Sequence, residues 1–252
     1  MHASAEAVGL VPLLAAGYAF VARSEPPGRL RIGAAACALA LVFVAFASGL
    51  QPLAVHTFLW AHLLQNVVLA EWAPALLVLA VPPHIGRRCA RWLPFRPFVA
   101  LPVWLLTYFA WHLPWAYDYA LRHPHSLLHV EHLTYALAGI ALWWPVVHGA
   151  YSAGAKAAYL FAAFVLASPI GLLLALVPRP IYAFYEHAPR DWGPGPLVDQ
   201  QIAGVTMAVE EAFVFFAVFT LFLFRFLNEE ERDPAYMRVE LQREALRRRQ
   251  IS

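Results

Sequence analysis

Seven stretches of this chain run for roughly a membrane's thickness with few charges, at approximately 6–22, 32–50, 57–81, 98–115, 127–147, 156–177 and 203–227. A spanning helix needs about 20 mainly apolar residues. Hydrocarbon offers no partner for an open backbone amide or carbonyl, so a segment crossing it must be a helix or part of a closed barrel. Runs this long and continuous select the helix. Composition agrees: 61% of the 252 residues are hydrophobic and 13% charged, against about 45–50% and 25% in a soluble domain. The expected fold is therefore all-α, a polytopic bundle of seven transmembrane helices. Pro/Gly punctuation separates several of the runs, as "EPPGR", "VPPHIGR", "VPRP" and "WGPGP".

Lysine and arginine orient the bundle. With the N-terminus outside, the cytoplasmic segments hold Arg23, Arg29 and Arg31, then Arg87, Arg88, Arg91 and Arg96, then Lys156, then seven arginines from Arg225 to Arg249. That is fifteen basic residues against three outside, Arg122, Arg179 and Arg190. The positive-inside rule thus predicts an outer N-terminus and a cytoplasmic C-terminus. Residues 1–228 read as one transmembrane domain and 229–252 as a charged cytoplasmic tail. In that tail Asp233 and Pro234 have the N-cap and first-turn chemistry of a short helix. The opening "MHASAEAV" lacks a basic n-region, so the first apolar run is expected to be a span and not a cleaved signal.

This orientation sets depth. His62, Gln65 and Asn66 fall at the outer end of the third run, and His112 at the outer end of the fourth. His125, His129, Glu131 and His132 open the fifth, and Asp199, Gln200 and Gln201 precede the seventh. Four polar clusters far apart in sequence are thereby expected at one level. His129 and His132 (i, i+3) share a helix face, as do His62 and Asn66 (i, i+4). Imidazole is a common metal ligand, and carboxylates often hold its second nitrogen. His62, His112, His129 and His132 are the candidate metal ligands. Asn66, Glu131, Asp199, Gln200 and Gln201 are their candidate polar support. His56, His84, His123, His125, His148 and His187 read as head-group anchors. Deeper in the bundle, Glu71, Glu210 and Glu211 are expected at one level near the midplane, with no Lys or Arg beside them. They read either as protonated carboxyls bonded to a neighbouring helix or as a proton or cation step.

Other chemistry is thinner. Cys37 and Cys89 have neither metal nor disulfide spacing. Three methionines are too few for a thioether copper relay. No nucleophile or acid/base pair stands at recognisable spacing, so an enzyme is not the favoured class, and no nucleic-acid partner is indicated.

Three motifs resemble one known family. They are "AHLLQNVVLAEWAPALLVLAVPP" from Ala61 to Pro83, "WHLPWAYDYALRHP" followed by "HVEH" and "WWP", and "LVDQQIAG" from Leu197 to Gly204. In this order they are similar to the His-Met-x-Gln-His, Trp-His-x-Pro, His-x-Glu-His and Asp-Gln-Gln segments of the multi-span CtaG family of cytochrome c oxidase assembly factors. The resemblance implies a bacterial plasma-membrane protein that matures a haem–copper oxidase, with oxidase subunits or a copper carrier as partners and copper as the metal handled. It carries over to His62, His112, His129 and His132, and to Asp199, Gln200 and Gln201. The chain departs from the pattern at Leu63, which stands for the methionine, at Asn66, which stands for the second histidine, and at Glu210 and Glu211 in a normally apolar stretch. Asn66 removes a good copper ligand. Zinc or haem at the same histidines, a copper or proton transporter, a membrane metalloenzyme and a purely structural chaperone stay open as alternatives.

Overall fold

The computed structural model describes residues 5–231, and every described element is helical. The tail helix expected from Asp233 onward lies outside the described residues. Helices α1 (Ala5–Ala22) and α2 (Arg29–Ala47) form a hairpin, and the short α3 (Leu50–His56) follows. Helix α4 runs from Leu59 to Ala80, and α5 from Pro83 to Cys89. Next come α6 (Pro97–Trp111), α7 (Pro114–Arg122), α8 (Leu127–Val147) and α9 (Ala153–Leu176). A single turn, α10 (Ala183–Glu186), interrupts a long loop before the final helix α11 (Pro196–Glu231).

Among the described residues four helices are long and apolar enough to cross a membrane: α2, α4, α9 and α11. A fifth span results if α6 and α7, bent by 72° where they meet, are taken together. Seven were expected. Helix α1 counts among the shorter apolar helices, over Val8–Ala22. Helix α8 has the length, at 21 residues, but its opening turns carry His129, Glu131 and His132.

Prolines shape the two helices that matter most. Pro74 lies inside α4, where it has no N–H to give and its ring crowds the carbonyl four residues back. The helix answers with a π-helical turn over Val68–Trp72, closed by the Ala73 amide on the Val68 carbonyl. Such turns recur at functional sites, and this one carries Glu71. Helix α8 packs against it closely: a Cβ on Gly139 would sit 2.3 Å from the Ala70 carbonyl oxygen and 2.7 Å from the Pro74 ring. Pro114 acts differently. The residue before a proline is driven out of the helical region, so α6 stops with His112 as its C-cap and the chain turns into α7.

The α9–α11 pair has the small-residue contact common between membrane helices. A Cβ on Gly204 would lie 2.4 Å from the Ala175 amide nitrogen and 2.6 Å from the Gly171 carbonyl oxygen. Gly204→Ala is therefore expected to lower stability by about 1–3 kcal/mol through overpacking, whereas Gly17→Ala, with nothing within 4 Å, raises it by up to about 1 kcal/mol, the preference of a helix interior for alanine over glycine. Thermal unfolding of the two variants in detergent measures the difference.

Candidate functional site

Helices α4 and α8 both start at one end of the bundle, and α6 ends there. Their polar residues meet at that end. The Glu131 carboxylate, fully buried, accepts a hydrogen bond from Asn66 Nδ2 at 2.8 Å through Oε1, with His62 Nε2 3.6 Å from the same oxygen. The His132 ring centroid lies 6.0 Å from that of His62. Tyr117, fully buried, stands between His62 and His112, its ring centroid 5.0 Å from the first and 6.1 Å from the second.

The hydrogen bonds fix which ring nitrogen faces this chamber. Tyr185 has one hydroxyl proton, and it goes to the Ala54 carbonyl. The phenol oxygen, 2.9 Å from His62 Nδ1, must then accept, so His62 carries its proton on Nδ1. In the neutral ring Nε2 holds a lone pair. His112 Nδ1 lies 2.8 Å from the Tyr108 carbonyl oxygen, which can only accept. His112 is thus also an Nδ1–H tautomer, and its Nε2 is buried without a hydrogen-bond partner. Glu131 Oε2, Asn66 Oδ1 and the Tyr117 hydroxyl are likewise buried and unbonded. A buried polar atom without a partner costs about 1–3 kcal/mol. Four such atoms, with His62 Nε2, make this chamber a buried polar cluster of imidazole, amide, carboxylate and phenol. Among the described residues, no three His, Cys, Asp or Glu side chains stand together as a ready-made metal-holding group.

His129 sits one turn before His132 and is half-buried. Gln65 turns away from the chamber, donating to the Ala45 carbonyl at 2.7 Å and to Gln51 at 2.6 Å. Asp199 accepts the Leu59 and Trp60 amides at 2.9 and 3.2 Å, capping the start of α4. It also pairs with Arg190 at 3.1 Å. Gln200 accepts the Ile181 amide at 2.6 Å and donates to the Leu174 and Arg179 carbonyls. Both residues therefore hold the loop between α9 and α11, and Gln201 is half-buried beside them.

That loop covers the chamber. Asp118 accepts the Ala183 and Phe184 amides at 3.1 and 3.0 Å, seating α10 so that Tyr182 and Tyr185 are buried. Arg190 donates to the Tyr185 carbonyl at 2.7 Å and lies over the Phe58 ring. Gly193, at φ +85°, rests on the same ring, where a Cβ would come within 2.6 Å of it. The five tyrosines Tyr108, Tyr117, Tyr135, Tyr182 and Tyr185, together with Arg190, were not singled out in the sequence. Tyr117, Tyr182 and Tyr185 carry one signal, the tyrosine density of "AYDY" and "IYAFY"; Tyr108 and Tyr135 carry none.

Deeper in the bundle Glu71, Glu210 and Glu211 do meet. All three are buried there as neighbours. Trp72 Nε1 donates to Glu210 at 2.8 Å and the Tyr108 hydroxyl to Glu211 at 2.9 Å. Tyr108 thereby touches both layers, Glu211 through its hydroxyl and His112 through its carbonyl.

One assignment changes. His148, read as a head-group anchor, is buried at the far end of α8, where its Nε2 donates to the Val78 carbonyl at 2.8 Å. The cause is Gly86, whose missing side chain leaves room for the imidazole.

The motif order seen in the sequence is matched by a family model, that of the cytochrome c oxidase caa3 assembly factor (Caa3_CtaG), over residues 13–229. The chain belongs to this family. No curated protein and no solved structure matches the chain. As a member of the Caa3_CtaG family it is a membrane-helical protein of oxidase assembly. The family match extends from α1 through α11, so it includes the chamber, its covering loop and the acid layer alike.

Asp199→Ala removes a helix cap and leaves Arg190 without its buried partner, so a loss of about 3 kcal/mol is expected. Asp199→Asn, which keeps an acceptor oxygen for α4, should lose less. Thermal unfolding and protease cleavage between Val177 and Gly195 report the two effects together.

Proposed function

We propose that this protein handles copper during maturation of a haem–copper oxidase in a bacterial plasma membrane, as a seven-span bundle with its N-terminus outside and the histidine chamber at the outer face. The observation that carries this reading is the tautomer of two histidines. His62 and His112 each carry a proton on Nδ1, so in the neutral rings both turn an unbonded Nε2 lone pair toward the buried polar cluster, that of His62 lying 3.6 Å from Glu131 Oε1. Such lone pairs suit a cation better than a hydrogen-bond acceptor, and imidazole suits copper. His132, close to His62, supplies a third ring. His129, nearer the mouth, receives the ion first. Glu131 offsets the ion's charge, and Asn66 orients that carboxylate by its amide N–H, which gives the missing family histidine a replacement role.

Copper is cargo in this scheme and must leave again. A chamber with few preassembled ligands favours release to an apo-oxidase subunit or a copper carrier. Loading requires the loop held by Asp118, Gln200 and the Arg190–Asp199 pair to lift. Zinc and haem are not favoured by the same donors: no carboxylate–water pair is set for zinc chemistry, and the two tautomer-fixed rings flank Tyr117 and not an open slot.

His62→Ala and His112→Ala are each expected to lower copper bound to the purified protein at least tenfold and to lower assembled oxidase in cells, with His129→Ala the milder change. Metal analysis and the haem spectrum of membranes measure both. Metal-free protein whose variants assemble oxidase fully would sink the reading. A second reading, copper or proton transport, is favoured by one observation, the acid layer joined to the chamber through Tyr108. Under copper handling, Glu211→Gln leaves bound copper and oxidase level within twofold of the unmodified protein. Under transport it abolishes copper or proton flux in reconstituted vesicles.

A further inference from the structure

At the end of the bundle opposite the histidines, α2, α4, α5 and the turn after α8 enclose an open hollow of about 480 Å³, with Arg31 and Arg87 on its edge and His148 in its wall. A second hollow of about 280 Å³ shares Arg87, His148, Gly149 and Ala150 with the first and adds Arg91 and Arg96. Arg31 and three arginines of a single stretch, Arg87, Arg91 and Arg96, thus border the two adjoining hollows. Glu25 is the one carboxylate paired with any of them among the described residues. It bonds Arg31 at 3.1 Å and also takes His84 at 3.0 Å. Those contacts, Arg31's first, hold the exposed Glu25 carboxyl below its usual range. Arg87, Arg91 and Arg96 are exposed and make no ion pair among the described residues.

The frame behind them is rigid. Trp144 Nε1 donates to the Gly86 carbonyl at 2.9 Å, and Phe95 stacks on Trp144 with centroids 4.2 Å apart. His148 fills the space that Gly86 leaves, where a Cβ would be 2.2 Å from its Nδ1. The hollow therefore has a fixed floor beneath mobile cationic side chains. Its other wall is apolar and faces outward from the bundle: Leu30 is 72% exposed and Leu79 37% exposed. A soluble anion has no use for that wall, whereas an acyl chain does.

We propose that the two adjoining hollows together bind a phosphate group, presented as the head group of an anionic phospholipid, with Arg87, common to both, and Arg91 of the second on the phosphate and the acyl chains along Leu30 and Leu79 of the first. Guanidinium groups recognise phosphate through paired N–H donors. Basic hollows between membrane helices suit anionic head groups. The site is independent of the histidine chamber, so its failure leaves the copper reading intact, and the reverse holds too.

Native mass spectrometry of the full chain in detergent, titrated with phosphatidylglycerol and with phosphatidylcholine, tests this. The unmodified protein is expected to hold phosphatidylglycerol at least tenfold more tightly. Arg87→Ala/Arg91→Ala loses that preference, while Arg88→Ala, an exposed arginine of the same helix outside both hollows, retains it. Equal loss in the Arg88 variant would mean diffuse surface charge and overturns the site, as does an unchanged preference in the double variant. Inorganic phosphate that displaces the lipid at equal concentration overturns its assignment to a lipid. Circular dichroism confirms that each variant is folded.

Discussion

A carboxylate buried between membrane helices has to be met by partners on several of them at once, and Glu131 is the point where this demand organises the protein. Burying a charge or an unbonded polar group in hydrocarbon costs several kcal/mol, so the helices must be held in the register that brings His62 and Asn66 of α4 to the Glu131 of α8. That register propagates. His62 is fixed through Nδ1 by Tyr185, Tyr185 sits in a loop clasped by Arg190, and Arg190 is paired with Asp199, which caps α4 itself. The chain of contacts closes on the helix where it began, so the chamber, its cover and the start of α4 form one mechanical unit.

Below the chamber the same physics is solved differently. Among the described residues Glu71, Glu210 and Glu211 have no basic partner. Glu210 accepts from Trp72 and Glu211 from Tyr108. The π-helical turn forced by Pro74 sets where Glu71 sits on α4, and Gly139 allows α8 to pack directly against that turn. One proline thus shapes the helix that supplies both His62 and Glu71. At the far end, arginines gather around a frame fixed by Trp144, His148 and Gly86. The two ends of the bundle therefore differ in kind, lone-pair acceptors at one and cationic donors at the other.

Helix boundaries, the positive bias of one end and the meeting of His62, Asn66 and Glu131 were legible because they follow from hydropathy length, arginine placement and helical spacing. Asn66 was legible as polar support on the His62 face and as a lost histidine; that its N–H anchors Glu131 depends on which helix α4 faces, a tertiary fact. His148 looked interfacial because nothing local reveals that Gly86, more than sixty residues earlier, makes room for it. The covering tyrosines were hidden for a related reason. Tyr182 and Tyr185 lie in a segment whose prolines and glycines read as punctuation, and it is seated by the Ile181 and Ala183 amides on Gln200 and Asp118, 19 and 65 residues away. The count of seven spans rested on apolar length alone, which α1 and α8 only partly supply.

The central claim is that two imidazoles are held with Nε2 open toward a buried chamber. Nitrogen-15 NMR of histidine-labelled protein, assigned with His62→Gln and His112→Gln, tests it most directly. Both residues are predicted to show the Nδ1–H tautomer, with the Nε2 signal alone shifting when Cu(I) is added. An Nε2–H tautomer at either position, or Nε2 signals indifferent to the ion, would contradict it.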